Sequence, residues 1–193
     1  MGAKAGLSVA KLRNDIVDDT GFKTGFCGGG FIVFRLLPPA DLRVEALYAE
    51  RGGLYDVIVT DDFGNAIGAG VQRYRLGYLE LPLLACWRMP TQGNIQPGVT
   101  IGPALALKLS SRLQTVLDPE QDDPPESTRD LDSIAAADAA LVFGLGFLVD
   151  LGQIDLTFDA RYNWGLTNIN QASGPEAAEI KNSAFTILAG VCF

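Results

Sequence analysis

The chain has 193 residues, of which 48% are hydrophobic, and a formal net charge of −8. Its mean hydropathy of +0.18 is high for an acidic protein, yet no apolar run reaches the roughly 18 residues that indicate a transmembrane helix. The negative charge argues against nucleic acid as a partner. Histidine is absent, which removes the usual general base for a serine nucleophile.

Three cysteines, Cys27, Cys86 and Cys192, are odd in number and far apart. This spacing predicts neither a metal site nor a disulfide framework, so we interpret them as small interior side chains. We expect no cofactor. The first residues do not show the charged start and apolar region of a signal peptide, and we expect that an exported form has already lost its signal.

The first third of the chain contains three segments in which apolar and polar residues alternate with a period of two, as in β-strands. The segments are residues 3–11, 22–35 and 42–50. Leu7 and Phe26 belong to the apolar side, whereas Arg43 and Glu45 belong to the polar side. The glycine run at residues 28–30 is expected to weaken the second strand.

Two further segments, residues 78–88 and 99–110, repeat the alternation. The apolar side of residues 78–88 ends at Trp87 and that of residues 99–110 ends at Leu109, and the polar sides include Glu80 and Lys108. Pro82 lies inside the first of them and must leave one ladder hydrogen bond unmade, because proline has no N–H to donate.

The last third contains three more segments, residues 140–150, 154–166 and 183–193. Residues 154–166 alternate over thirteen positions, whereas a strand of a soluble protein usually has about five or six residues and a transmembrane strand needs about 9–11. One side carries Phe158, Tyr162 and Trp164 and the other carries charged residues. The charged residues are Asp155, Asp159 and Arg161.

The joints between these eight segments alternate in length. The short joints are residues 36–41, 88–98 and 151–153, and the longer ones are residues 13–21, 52–75, 112–137 and 171–181. Short turns at one end and long loops at the other are typical of outer-membrane barrels, with the short turns in the periplasm. We expect residues 52–75 to continue two strands as a hairpin, and the acidic residues 118–132 to form a mobile loop.

An eight-stranded barrel has an interior just wide enough for side chains to fill it, and buried charges persist only when they are paired. We therefore predict an ion-pair network in the lumen rather than an open pore or a catalytic site. Its members are Arg43, Glu45, Glu80, Lys108, Asp155, Asp159 and Arg161. Aromatic residues toward both ends of the strands predict a lipid-facing belt. Its members are Tyr162, Trp164, Trp87, Phe193 and Phe158.

A divalent cation could bind in the acidic loop. The candidate ligands are Asp118, Glu120, Asp122 and Asp123. Their spacing does not match a calcium-binding loop, so a solvated run of charge is the favoured interpretation and no metal site is predicted.

Four strings resemble the small outer-membrane β-barrel family of Bacteroidetes-type bacteria, labelled porin family or PorT-like and akin to OmpA/OmpX-type barrels. The strings are RLGYLELPLLACWRMP, GVTIGPALALKL, DLTFDARYNWGLTNI and KNSAFTILAGVCF. The resemblance implies an all-β, eight-stranded antiparallel up-and-down transmembrane barrel in the bacterial outer membrane, with residues 1–193 as one domain. Expected partners are outer-membrane lipid and lipopolysaccharide, and the barrel-assembly machinery during insertion, for a protein that acts as a monomer with an unknown surface ligand.

The first functional hypothesis is a non-enzymatic barrel that binds at the surface or supports the envelope through its extracellular loops. The second is a porin-like channel for ions or small solutes. A membrane-embedded hydrolase or acyltransferase is disfavoured, because no motif provides a base for a serine. A soluble lipocalin-like ligand-binding barrel requires the opposite orientation, with the apolar sides of the strands inside.

Overall fold

The computed structural model describes residues 1–14, 21–60, 66–117, 126–130, 134–170 and 179–193. Within these ranges the secondary structure is β-sheet, and no helix there is long and apolar enough to cross a membrane. The strands are β1 Gly2–Asn14, β2 Lys23–Leu37, β3 Ala40–Thr60, β4 Ala66–Arg88, β5 Ile95–Leu117, β6 Glu126–Asp130, β7 Ala137–Asp150, β8 Asp155–Gly165 and β9 Ile180–Cys192.

All strands except β6 close into a ring of eight. Neighbours in the ring are antiparallel and follow the chain, β5 pairs with β7, and β9 pairs with β1. Closure gives each strand two neighbours, so the ring itself has no open sheet edge. The predicted eight-stranded antiparallel up-and-down barrel is confirmed.

The period of two separates an inner from an outer face on every strand of the ring. On β8, Thr157, Asp159 and Arg161 are buried, whereas the alternate residues Phe158 and Tyr162 are exposed. Phe158 is 38% exposed and Asp159 only 6%. The apolar faces point outward, so the lipocalin-like alternative, which requires them inside, is wrong.

The glycine run and the proline are both accommodated within strands. Residues 28–30 remain paired with β1 and β3, and a Cβ at Gly29 would lie 2.1 Å from the carbonyl oxygen of Ala46. This close approach of two backbones explains why glycine suits the position. Opposite Pro82, Glu45 and Ala46 of β3 are not paired with β4, although the register on either side of them is the same. This local gap is expected because proline has no N–H to donate.

The sheet continues beyond the ring at the long-loop end. β3 and β4 pair as far as Thr60 and Ala66, and β5 accompanies β4 to Leu117. The predicted hairpin over residues 52–75 is therefore confirmed, although residues 61–65 at its tip lie outside the described part of the chain.

The predicted mobile loop is wrong for residues 126–130, which form β6 and pair with β5 between Arg112 and Val116. β7 pairs with β5 only from Ile95 to Leu107. β7 therefore leaves the outer part of β5 without a neighbour on that side, and β6 provides one, since such an edge readily accepts a further strand. The four candidate cation ligands at residues 118–123 lie outside the described residues.

Gly52 provides a test of the strand geometry at the edge of the ring. It has φ +135°, and a Cβ there would lie 1.9 Å from the carbonyl oxygen of Tyr74. We expect Gly52→Ala to lower the free energy of unfolding by more than the roughly 1–3 kcal/mol that strain in the left-handed region alone costs. Urea denaturation of the protein in lipid vesicles measures this loss.

Two control variants separate backbone strain from the clash. Gly152 has φ +91° with nothing within 4 Å of its Cβ position, and Gly93 has open space and no such strain. Gly152→Ala should lose only the strain energy, and Gly93→Ala should unfold like the parent. Equal stabilities of the Gly52 and Gly152 variants would contradict the predicted clash with β4.

Candidate functional site

Five charged side chains from β1, β3 and β8 meet in the middle of the lumen. Arg161 donates two hydrogen bonds to Glu45, at 2.6 Å to Oε2 and 2.9 Å to Oε1. Lys4 Nζ donates to Glu45 Oε1 at 3.0 Å and to Asp159 Oδ2 at 2.9 Å. Arg43 Nη2 donates to Asp159 Oδ1 at 3.1 Å. All five are buried, and we call them the lumen cluster.

The lumen cluster contains three cations and only two carboxylates. Removing an ion from water costs several kcal/mol, and the bidentate Arg161–Glu45 pair is the geometry that offsets this cost best. The face of the Phe31 ring lies 4.4 Å from Lys4 Nζ and 6.0 Å from the Arg43 guanidinium. The negative face of the ring therefore partly compensates the excess positive charge.

A second ion pair lies nearer the long loops. Arg51 Nε donates to Glu80 Oε1 at 2.8 Å, and Arg51 Nη1 donates to the Ser8 hydroxyl. At the opposite end, Arg88 donates to Asp41. Side chains of opposite charge thus meet at three levels of the lumen.

Four of the seven residues predicted for the lumen network lie in the lumen cluster: Arg43, Glu45, Asp159 and Arg161. Glu80 belongs instead to the second ion pair. Lys108 lies toward the long loops, where its Nζ donates to the carbonyl oxygen of Ile134 at 2.5 Å. Asp155 lies at the short-turn end and lines a cavity there.

Sequence reasoning missed Lys4, Asp41, Arg51 and Arg88 as network members. The alternation of residues 3–11 places Lys4 on the polar side, so this signal was available in the sequence. Arg51 was missed because the predicted strand ended at residue 50, whereas β3 continues to Thr60.

The lumen cluster separates two cavities of very different size. A vestibule of about 310 Å³ lies at the short-turn end, with Arg43 and Asp159 among its lining residues. On the other side, a cavity of about 20 Å³ is lined by Glu80, Asn163 and their neighbours. This smaller volume is close to that of a single water molecule, so the free space between the described residues is much narrower beyond the lumen cluster than in the vestibule.

An apolar cluster covers the lumen at the long-loop end. Its buried members are Leu12, Leu76, Tyr78, Ile134, Ala135 and Ile169. Tyr55 and Tyr74 pack against it from the hairpin extension, with ring centroids 5.2 Å apart in an edge-to-face arrangement. Burial raises the pKa of Tyr55 to about 12, so its hydroxyl is neutral at physiological pH.

The five predicted belt residues are all exposed on the outer face of the ring. Tyr162 and Trp164 lie toward the long-loop end, and Trp87 and Phe193 lie toward the short-turn end. Phe158 lies between these levels and stacks on Phe147, with ring centroids 4.9 Å apart. Contact of these rings with lipid remains a prediction.

Glu45 is the residue on which the lumen cluster depends most, because it contacts all three cations. We expect Glu45→Gln to lower the free energy of unfolding by about 3–5 kcal/mol, since it leaves buried cations without a compensating charge. Glu179→Gln is the matched control, because the Glu179–Lys181 pair is exposed and surface pairs contribute about 0–1 kcal/mol. Urea denaturation in vesicles should therefore show a much larger loss of unfolding free energy for Glu45→Gln than for Glu179→Gln. Similar losses in the two variants would argue against a buried cluster.

A family model described as "Outer membrane protein beta-barrel domain" matches residues 1–171. Similar solved structures include Neisserial surface protein A, with 16% identity and a TM-score of 0.49 over 100% of this chain and 96% of that one. They also include Ail of Yersinia pestis in complex with the heparin analogue sucrose octasulfate, with 9% identity and a TM-score of 0.46 over 100% and 97%. The N-terminal barrel domain of Pseudomonas aeruginosa OprF has 12% identity and a TM-score of 0.33 over 98% and 96%. A comparison with curated protein sequences found no match.

Proposed function

Because the chain belongs to the family of outer-membrane β-barrel domains, we propose that it is a non-enzymatic barrel with a closed lumen that acts through its extracellular loops. Its role is surface binding or structural support of the envelope. The lumen cluster is the observation that carries this proposal, because side chains joined at 2.6–3.1 Å occupy the middle of the barrel.

The distribution of cavities supports a closed lumen. The vestibule of about 310 Å³ is lined by residues of the short-turn side, and the cavity beyond the lumen cluster has a volume of about 20 Å³. The apolar cluster around Tyr78 then covers the long-loop end. A solute would have to separate several buried ion pairs and displace this cluster, and each buried charge left alone costs several kcal/mol.

The long-loop end supports a surface role. Strands β3, β4, β5 and β6 form a sheet that extends beyond the ring, so ordered backbone projects on the side that we assign to the exterior. Binding sites are often carried by loops on a rigid scaffold. The short-turn end lacks a comparable extension among the described residues; for example, only two residues separate the end of β2 from the start of β3.

Conductance in planar lipid bilayers tests the closed lumen. We expect the parent protein to show no sustained ion current, because the lumen cluster blocks the passage. The double variant Glu45→Ala/Arg161→Ala, which removes a cation and a carboxylate together, should conduct measurably more. Sustained porin-like current from the parent would favour the channel alternative, and folded barrel content is checked by heat-modifiable gel mobility.

Cysteine labelling on intact cells tests the orientation. In a variant without the three native cysteines, Asn168→Cys places a thiol at an exposed position on the long-loop side, and Gln92→Cys places one at an exposed position in a short turn. A membrane-impermeant maleimide should label position 168 on intact cells, and position 92 only after the outer membrane is opened. The reverse result would overturn the assignment of the long loops to the exterior.

A further inference from the structure

The vestibule at the short-turn end of the lumen has the size of a site for a small molecule. Its volume of about 310 Å³ lies at the lower end of the range of about 300–1,000 Å³ that is usual for ligand pockets. At roughly 30 Å³ for each water molecule of the liquid, it corresponds to about ten waters. A ligand with about ten non-hydrogen atoms therefore fits this space.

Two threonine side chains in the wall of the vestibule have unused hydrogen-bonding capacity. Thr100 on β5 is 8% exposed and Thr157 on β8 is 7% exposed, and both line the vestibule. Neither side-chain oxygen has a hydrogen-bond partner among the residues that the structure describes. Since buried polar groups are normally hydrogen-bonded, these two hydroxyls indicate that a polar group is bound within the vestibule.

The inner face of β7 is bare between the two threonines. Thr100 lies opposite Gly144 on β7, and Thr157 lies opposite Leu148 of the same strand. Gly146 lies between these two positions of β7 and lines the vestibule. A Cβ at Gly144 would lie 2.5 Å from Thr100 Oγ1, so a larger residue there would displace the hydroxyl. The glycines of β7 therefore keep the wall open where the hydroxyls are.

The charges around the vestibule favour an anionic ligand. Three arginines and three aspartates line it: Arg35, Arg43, Arg88, Asp41, Asp155 and Asp159. Directly behind them, the lumen cluster adds the cations Lys4 and Arg161 but only one carboxylate, Glu45. Of the side chains that line the vestibule or belong to the lumen cluster, cations therefore exceed carboxylates by one. A single carboxylate would balance this charge, and the attraction is stronger in an enclosed site than in water.

Part of the vestibule wall is apolar. Phe31, Val33 and Leu148 line it, and they face inward because their chain neighbours Ile32 and Phe147 are exposed on the outer face. The ring of Phe31 is itself only 4% exposed. Ligand sites typically combine an apolar lining with a few polar groups that fix the orientation of the ligand. This wall favours an organic anion with an apolar body over a simple inorganic ion.

From these observations we propose that the vestibule binds a small organic carboxylate with an apolar body. The hydroxyls of Thr100 and Thr157 donate to the carboxylate near Arg43, and the apolar body packs against Val33 and Leu148. The short turns face the periplasm in the proposed orientation, so the ligand enters from that compartment. This source of the ligand rests on the proposed function, whereas binding itself does not.

Three probes of nearly equal shape test the charge of the ligand. They are benzoate, its neutral analogue benzamide and its cationic analogue benzamidine, each added to the folded full-length protein in a neutral detergent. Thermal unfolding is the measurement, because a ligand that binds only the folded state raises the melting temperature. Benzoate should raise it in a saturable way. Benzamide, benzamidine, acetate and sodium chloride at the same concentration should have little effect.

The variants Thr100→Val and Thr157→Val test the two hydroxyls. Without a ligand each variant should be at least as stable as the parent, because a buried hydroxyl without a protein partner is replaced by a methyl group. Each should raise the apparent Kd for benzoate about tenfold, as expected when a hydrogen bond to a charged group is lost. Thr24→Val is the matched control, because Thr24 is exposed on β2 near the long loops.

The variant Val33→Phe tests the location by filling the vestibule without removing a polar group. It should abolish the benzoate shift, whereas Ile32→Phe on the outer face of the same strand should bind like the parent. Because the Val33 and threonine variants change different side chains, failure of one to fold leaves the others as a test.

Thiol protection provides a second measurement of location. In the variant Cys27→Ala/Cys86→Ala the remaining thiol is Cys192, which is partly exposed and lines the vestibule. Benzoate should slow its reaction with N-ethylmaleimide, and benzamide should not. The control is Gln92→Cys in a variant without the three native cysteines, since Gln92 is exposed in a short turn. Its reaction rate should not change with benzoate.

Several results would overturn the proposal. They are the absence of a benzoate shift, equal shifts with benzoate and benzamide, equal losses in the vestibule and control variants, and unchanged labelling of Cys192. The first of these would mean that the hydroxyls hold only water. The measurements are made in detergent and depend on neither conductance nor orientation, so their failure is distinguishable from failure of the proposed function.

Discussion

Closure of the ring by the β9–β1 and β4–β5 pairs is the constraint on which the other features depend. Once every strand has two neighbours, each residue faces either the lumen or the outside, and a shift by one residue would exchange the faces of a whole strand. Eight strands enclose a space that side chains can fill. The inner residues therefore have to satisfy one another, which explains why charges of both signs meet there.

The lumen cluster also helps to specify the register of the strands. A buried ion network is not in general more stabilising than an apolar core of the same volume. However, an arginine moved to the lipid face at the middle of a bilayer costs about 2–4 kcal/mol. Arg43 and Arg161, together with Lys4, therefore penalise any register that turns β1, β3 or β8 inside out. The charges that close the lumen also define which face of each strand is inside.

The two ends of the barrel differ in what occupies the lumen and in how far the sheet extends. At the short-turn end, a vestibule with both polar and apolar lining residues extends inward to Arg43 and Asp159. At the long-loop end, an apolar cluster around Tyr78 covers the lumen, and the sheet grows outward to β6. Ion pairs in the lumen and the extended sheet at the long-loop end are the features from which we propose function at the surface rather than passage through the barrel.

The sequence by itself determined the strands and their faces, because the period of two depends only on backbone geometry; the Phe158 and Asp159 assignments needed nothing more. Only the tertiary structure decided which inward charges meet. Lys108 and Asp155 face the lumen as predicted, but they lie nearer its two ends than the lumen cluster does. The position of a residue along the barrel axis depends on the stagger of the strands around the ring. β6 was missed because its polar segment has no alternation, and its pairing depends on an open edge of β5 that exists only after the barrel has closed.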